Sequence, residues 1–230
     1  MGREAQMIQG QTYAEVNEMI RTGPYVLGRR DFGLEPLVLP QVRGQIVYYS
    51  YIIVPGDSPA QSLEDLRGKT FAFTDPLSLT GYYSVVYMLY KMGETPGHFF
   101  RKVIFTYSHD RSMKAVAEKL VDGAAVDSLV YDYLLEEEPF YREKVKVIAS
   151  SPPYGIPPVV VPPHMDPQLK AQLRDVFLHM HEDEEGRLIL RQLRIDRFVE
   201  PDERVYEPVS RMMEELGKCP REGLGTASGG

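Results

Sequence analysis

The chain has 230 residues, 43% of them hydrophobic and 26% charged, with a formal net charge of -7. That length carries one large domain or two small lobes with a sizeable buried core, while the acidic balance and the lack of a Lys/Arg run count against nucleic-acid binding. No apolar run approaches the ~20 residues of a membrane span, Met1-Gly2-Arg3-Glu4 lacks the form of a signal peptide, and a lone cysteine, Cys219, excludes an intrachain disulfide or a cysteine-based metal site.

Taken in order, Tyr13, Val16, Met19 and Ile20 have helical spacing and predict a helix over 13–21, broken by Gly23-Pro24. Residues 25–30 carry no clear period, and the apolar run Leu37-Val38-Leu39 meets Pro40. Gln45–Val54 is the strongest strand, dense in β-branched and aromatic residues, and Pro55-Gly56-Asp57-Ser58-Pro59 turns the chain after it. Ser62–Leu66 reads as a short helix capped by Ser62.

An alternating series follows. Strands are predicted at 69–73, 102–106, 124–126 and 144–149, with helices at 84–92, 112–120 and 129–136 between them. Strand and helix alternating at this spacing predict a parallel α/β sheet. Ligands of such sheets sit beyond the carboxyl ends of the strands. Ser78 and Thr80, Ser108 and His109, and Asp127 and Ser128 all fall at those ends.

Ser151–Pro158 is a stiff, proline-rich connector. Beyond it come a strand at 159–161, helices at 167–181 and 184–193, a last helix at 203–216, and a Gly/Ser-bearing tail over 217–230. The α/β series predicts one continuous lobe over 56–155. Residues 1–55 with 156–216 would make a second, discontinuous lobe. Two crossings, at 53–56 and 151–157, would form the hinge, with the ligand cleft between the lobes.

The stretch Thr74–Tyr83 concentrates the chemistry. A strand, a tight turn and a helix start place two hydroxyls beside the unsatisfied first-turn amides of the helix, with Gly81 lowering steric bulk. That is a small anion cradle; the plainer alternative is that Ser78 or Thr80 only caps the helix. His109 offers an N–H donor at the same sheet edge. Asp127 repels a fully ionised anion but accepts from a ligand that keeps a proton; alternatively it caps the next helix. Tyr25 and Tyr48 offer phenol donors or ordinary packing. The remaining histidines His164, His179 and His181 lack metal-site spacing with a third ligand, and the acidic runs 136–138 and 182–185 read as solvated charge.

Gly23-Pro24-Tyr25, Tyr48-Tyr49-Ser50, the stretch from Asp57-Ser58 to Lys69, Asp75–Gly81, His98-Phe99-Phe100, Ser108-His109-Asp110 and Val121–Asp127 occur in one order. In that order the chain resembles the phosphate/phosphonate ABC-transporter substrate-binding proteins, of the type II periplasmic-binding-protein fold, over about residues 11–216. The resemblance implies a two-lobe α/β protein of the periplasm or cell surface. It implies that the protein is not an enzyme, needs no cofactor, acts as a monomer, and captures phosphate, phosphite or a simple phosphonate for a membrane ABC permease. It places oxyanion donors on Ser78, Thr80, the Leu79 amide, His109, Tyr25 and Tyr48. Aminophosphonate-binding members use carboxylates for the amine, and the matching positions here are Leu129 and Pro157, which cannot pair with ammonium. The family's strand–helix unit before Gln11, and its strand before Gly23, have no counterpart, so the first lobe is expected to be shorter or built differently.

Two other functions share these residues. One is a ligand-reading sensor domain of the same fold. The other is a hydrolase using Ser78, His109 and Asp127, against which stands the lack of a G-x-S-x-G elbow around Ser78.

Overall fold

A computed structural model describes residues 22–217; the helix expected over 13–21 and most of the tail lie outside them. The first element is helix α1 (Thr22–Phe32). Gly23-Pro24 lies near its first described residue, in a first turn that suits proline because first-turn N–H groups have no intrahelical partner. Strand β1 (Glu35–Gln41) runs through both Pro36 and Pro40. Pro36 is accommodated because the pairing with β9 (Val159–Val161) shifts register between Pro36 and Val38. On its other side β1 pairs with β10 (Arg197–Val199), giving a three-stranded antiparallel sheet in the order β10-β1-β9.

The larger sheet has five strands in the order β5-β4-β6-β3-β7. They are β3 (Ser50–Pro55), β4 (Thr70–Phe73), β5 (Lys102–Phe105), β6 (Gly123–Asp127) and β7 (Val145–Ser150). Strands β4, β5 and β6 are parallel, as the strand–helix alternation predicts. Strand β3 is antiparallel to both β6 and β7, so β7 runs with the parallel set. Placing β3 before the crossing, with the lobe boundary at 55, therefore needs correction. Ile52, Ile53 and Val54 are each fully buried, and a run buried on both faces belongs in a sheet interior rather than at a hinge.

Side chains alternate across this sheet with the period of two that strand geometry imposes. Phe71, Phe73, Ile52, Val54 and Ala125 face one apolar cluster; Ala72, Ile53, Ala124 and Val126 face the other. Helix α2 (Ser84–Lys91) covers the first face through Val85, Val86 and Leu89. A short helix α3 (Pro96–Phe99) and its cap set Phe99 and Phe100 edge to face in the same cluster. Helices α4 (His109–Ala117), α5 (Ser128–Glu137) and the one-turn α6 (Tyr141–Lys144) cover the second face. Each buried aromatic or aliphatic chain contributes roughly 1.5–3 kcal/mol of transfer free energy.

The chain passes between the two sheets where β2 (Val47–Tyr48) pairs with β8 (Tyr154–Gly155), two residues on each strand. Helices α7 (Pro167–His179) and α8 (Glu184–Leu193) pack on the smaller sheet around Leu37, Val38, Val161 and Leu190. Helix α9 (Glu207–Gly217), entered through a 3-10 turn at Glu203–Tyr206, buries Val209, Met212 and Leu216 against the cluster that also holds α2. Among the described residues no helix is long and apolar enough to cross a membrane.

Candidate functional site

Strand β4 ends at Phe73, and the chain turns through Thr74-Asp75-Pro76-Leu77 into a helix that opens with one π turn, Leu79–Tyr83, before continuing as α2. Ser78 is the cap: its backbone is extended, and its Oγ accepts from the Gly81 N–H at 3.0 Å. The wide turn closes where the Tyr83 N–H donates to the Ser78 carbonyl at 3.0 Å. Glycine is required at 81 by close approach to β4, since a Cβ there would fall 1.7 Å from Thr74 Oγ1. With the Gly81 amide taken by Ser78, the Leu79 and Thr80 amides remain first-turn donors without an intrahelical acceptor. The Leu79 side chain is buried in the core, so its amide is what it presents at the turn. The turn is held from below by Ser50 Oγ, which donates to the Thr80 carbonyl at 2.5 Å.

At the neighbouring strand end, Asp127 caps α5 by accepting from the Leu129 N–H at 2.8 Å and the Val130 N–H at 3.4 Å, both on Oδ1. Its other oxygen, Oδ2, receives the Thr80 hydroxyl at 3.5 Å. Burial of the carboxyl group pushes its pKa up from 3.8 to about 7; the two amides and the Thr80 hydroxyl oppose this, and the Asp132 carboxylate adds to it. The residue keeps some exposed surface, so the carboxyl is shielded from solvent only in part.

His109 opens α4, behind the Ser108 cap. Its Nδ1 accepts from the backbone N–H of Asp127 at 3.0 Å. An accepting Nδ1 carries no proton, which assigns the ring N–H to Nε2. Thr80, His109 and Asp127 are thus joined across the ends of β4, β5 and β6, with Ser78 in the same turn as Thr80.

The two tyrosines lie elsewhere. Tyr48 is buried on the crossing strand β2, in the cluster that also holds Leu79 and Tyr154. Tyr25 is buried in α1, edge-on to the Tyr206 ring at 4.7 Å. It faces a recess of about 330 Å³ lined with Arg29, Arg30, Ser210 and Glu214. Burial raises its phenol pKa, and the nearby Arg29 guanidinium works against that rise. No side chain of the Ser78–Asp127 group lines that recess. Leu129 is half-buried against the large core cluster and Pro157 is half-buried in the return connector.

Sequence reasoning missed a set of hydroxyls that knit the crossing to this site. Tyr49 N–H donates to Ser128 Oγ and Ser50 N–H to Ser151 Oγ, each at 2.9 Å. Ser84 Oγ meets the Tyr154 hydroxyl at 3.1 Å. The available signal was Ser50 and Ser84 standing inside otherwise apolar runs, where a hydroxyl needs a partner. Among the described residues no cluster of His, Cys, Asp and Glu could hold a metal ion.

Residues 1–206 match the family model described as ABC transporter, phosphonate, periplasmic substrate-binding protein. The chain is 29% identical over 150 residues to the phosphonates-binding periplasmic protein of Escherichia coli, a match covering 64% of this chain and 44% of that one. The chain thus spans less than half the length of that relative. Among solved structures, it resembles a binding-protein component of an ABC phosphonate transporter from Pseudomonas aeruginosa at 26% identity and a TM-score of 0.75, covering 91% of this chain and 70% of that one. A Prochlorococcus marinus protein solved in complex with methylphosphonate shares the fold at 19% identity and a TM-score of 0.69, over 87% of this chain and 85% of that one.

Proposed function

The chain belongs to the phosphonate periplasmic substrate-binding family of ABC transporters, and from that premise we propose that it captures a small phosphorus oxyanion at the Ser78–Thr80 turn for delivery to a membrane ABC permease. The observation that carries this reading is that the ends of three parallel strands meet at Asp127, where the Thr80 hydroxyl reaches its carboxylate and the His109 ring its backbone N–H, beside the turn that carries the Ser78 hydroxyl and the Leu79 and Thr80 amides. Ser78 Oγ accepts from within the turn, which leaves its proton for an oxyanion. Thr80 has the same capability once its hydroxyl leaves Asp127. His109 would donate from Nε2, since its Nδ1 accepts from the Asp127 N–H. Tyr48 stands on the crossing segment, where closure of the second lobe would bring it to the ligand. The recess at Tyr25 would join the cleft only through that movement.

Asp127 sets which anion is accepted. Above about pH 7, where the Asp127 carboxyl is ionised, phosphate, phosphite or a simple phosphonate that retains a P–OH can donate to it, whereas a fully ionised oxyanion meets repulsion. Neither Leu129 nor Pro157 can pair with an ammonium group, so 2-aminoethylphosphonate would lose hydration worth several kcal/mol in a closed cleft. Calorimetry with phosphate, phosphite, methylphosphonate and 2-aminoethylphosphonate at two pH values tests this, with the aminophosphonate expected weakest. Ser78→Ala with Thr80→Ala should weaken the tightest of these at least tenfold, since two hydrogen bonds to a charged group total about 3 kcal/mol or more. Unchanged affinity in that variant would reject the cradle.

A further inference from the structure

Helix α5 begins at Asp127 and ends in acid. Asp132, Glu136 and Glu137 lie in its last two turns, and no basic residue stands in the last turn. Carboxylates at a helix C-terminus face the negative end of the macrodipole and one another, so the helix cannot neutralise them itself. Two arginines from turns beside the smaller sheet do so. Arg43 Nη1 reaches Asp132 at 2.8 Å while its Nη2 binds Glu136. Arg194 Nη1 reaches the other oxygen of Glu136 at 3.1 Å, its Nη2 binds Glu137, and its guanidinium lies 4.5 Å over the Tyr133 ring.

The backbone presents both arginines in an unusual way. Arg43 has φ 51° and Arg194 φ 56°. The left-handed region disfavours side chains larger than glycine and persists where surrounding contacts hold it. Arg43 sits in the turn between β1 and β2, and Arg194 caps α8. The two turns are bound into one unit. Gly44 N–H donates to the Asp196 carboxylate at 2.7 Å, Asp196 N–H to the Gln41 carbonyl at 2.8 Å, and Arg197 Nε to the Gln41 side chain at 2.9 Å. One rigid corner of the small sheet therefore grips the far end of the helix whose near end is capped by Asp127.

We propose that Arg43 and Arg194 are positioning residues, a two-armed latch that holds the small sheet against α5 and so sets how much of the protein rests closed. This rests on the reading of a two-lobe protein with a ligand cleft. The arginine side chains are 52% and 45% exposed, so water and salt reach the latch and each bond adds little to folding stability. Its effect falls on the closed–open balance, where small differences in free energy shift populations several-fold.

The test needs no ligand. Spin labels at Leu120→Cys and Leu188→Cys, both exposed and on opposite sides of the latch, with Cys219→Ser, report the separation by pulsed electron resonance. At low salt the parent should show mainly the short distance, and Arg43→Gln with Arg194→Gln a longer one. Raising salt to about 0.5 M should move the parent towards the variant, since the screening length then shrinks to a few ångströms. Identical distance distributions in parent and variant at both salts would overturn the latch. Should the double variant fail to fold, the salt response of the parent decides alone, and its absence overturns the proposal. Methylphosphonate affinity should fall about threefold to tenfold in the folded variant. Failure of methylphosphonate to bind the parent would instead count against the anion assignment and leave the distance result standing.

Discussion

Replacing Asp127 by asparagine separates two roles that the carboxylate combines. The asparagine side chain keeps an oxygen for the Leu129 and Val130 amides, and asparagine is as good a helix cap as aspartate. What it loses is the charge. Below about pH 3.8 the aspartate is protonated whether folded or unfolded, and it contributes nothing to pH dependence. Between that value and about 7 the unfolded chain gives up the proton while the buried carboxyl of the folded protein keeps it. The folded state then binds more protons, so stability falls as pH rises, and the full penalty is present above pH 7. A shift of this size has a ceiling of about 4 kcal/mol. The residue's remaining solvent contact reduces the expected effect to about 1–3 kcal/mol. Urea unfolding of the parent and Asp127→Asn at pH 4, 6 and 8 should therefore show the asparagine variant gaining on the parent by that amount across the range. Groups that titrate in both proteins cancel in the difference. A difference that stays constant with pH, or a parent that gains on the variant as pH rises, would refute a buried carboxyl at this strand end.

Two further outcomes follow from the same geometry. Gly81→Ala should destabilise the fold by about 1–3 kcal/mol in thermal or urea unfolding, because its Cβ would collide with buried Thr74; Thr74→Ala in the same chain should recover part of the loss by removing the nearest atom. Ser50→Ala should cost about 1–3 kcal/mol, since it strips the Thr80 carbonyl of its buried donor and frees β3 from the turn. It should also weaken anion binding, while a control at exposed Leu188 does neither.

The parallel core was legible because its signals are local. The periods of β4, β5 and β6 and of the helices between them are short, and their strand ends bring Ser78, His109 and Asp127 together by topology alone. The place of β3 was not legible. A two-sided apolar run looks the same whether it leads into a hinge or fills a sheet, and only its long-range pairing with β6 and β7 distinguishes them. Likewise Gly23-Pro24 signals a break equally well at the end of one helix or the start of the next. The His109–Asp127 bond escaped notice because it uses a backbone N–H, which every residue but proline has. The two-residue strands β2 and β8 are too short to show any period.

The π turn at Leu79–Tyr83 has a consequence for how this segment tolerates change in length. A π turn holds one residue more than an α turn, and each residue of a helix advances the chain by about 100°. Deleting any one residue between Ser78 and Ser84 would let the segment close as ordinary α-helix. Because the wide turn already takes up the extra residue, everything before it would keep nearly its angle to α2, whose buried face is fixed by Val85, Val86 and Leu89. A deletion inside α2 itself has no such slack and would swing Ser78 and the Leu79 amide by about 100°. The π turn is therefore the place in this segment where a one-codon gap is the milder change in length, and α2 the place where it is the severe one.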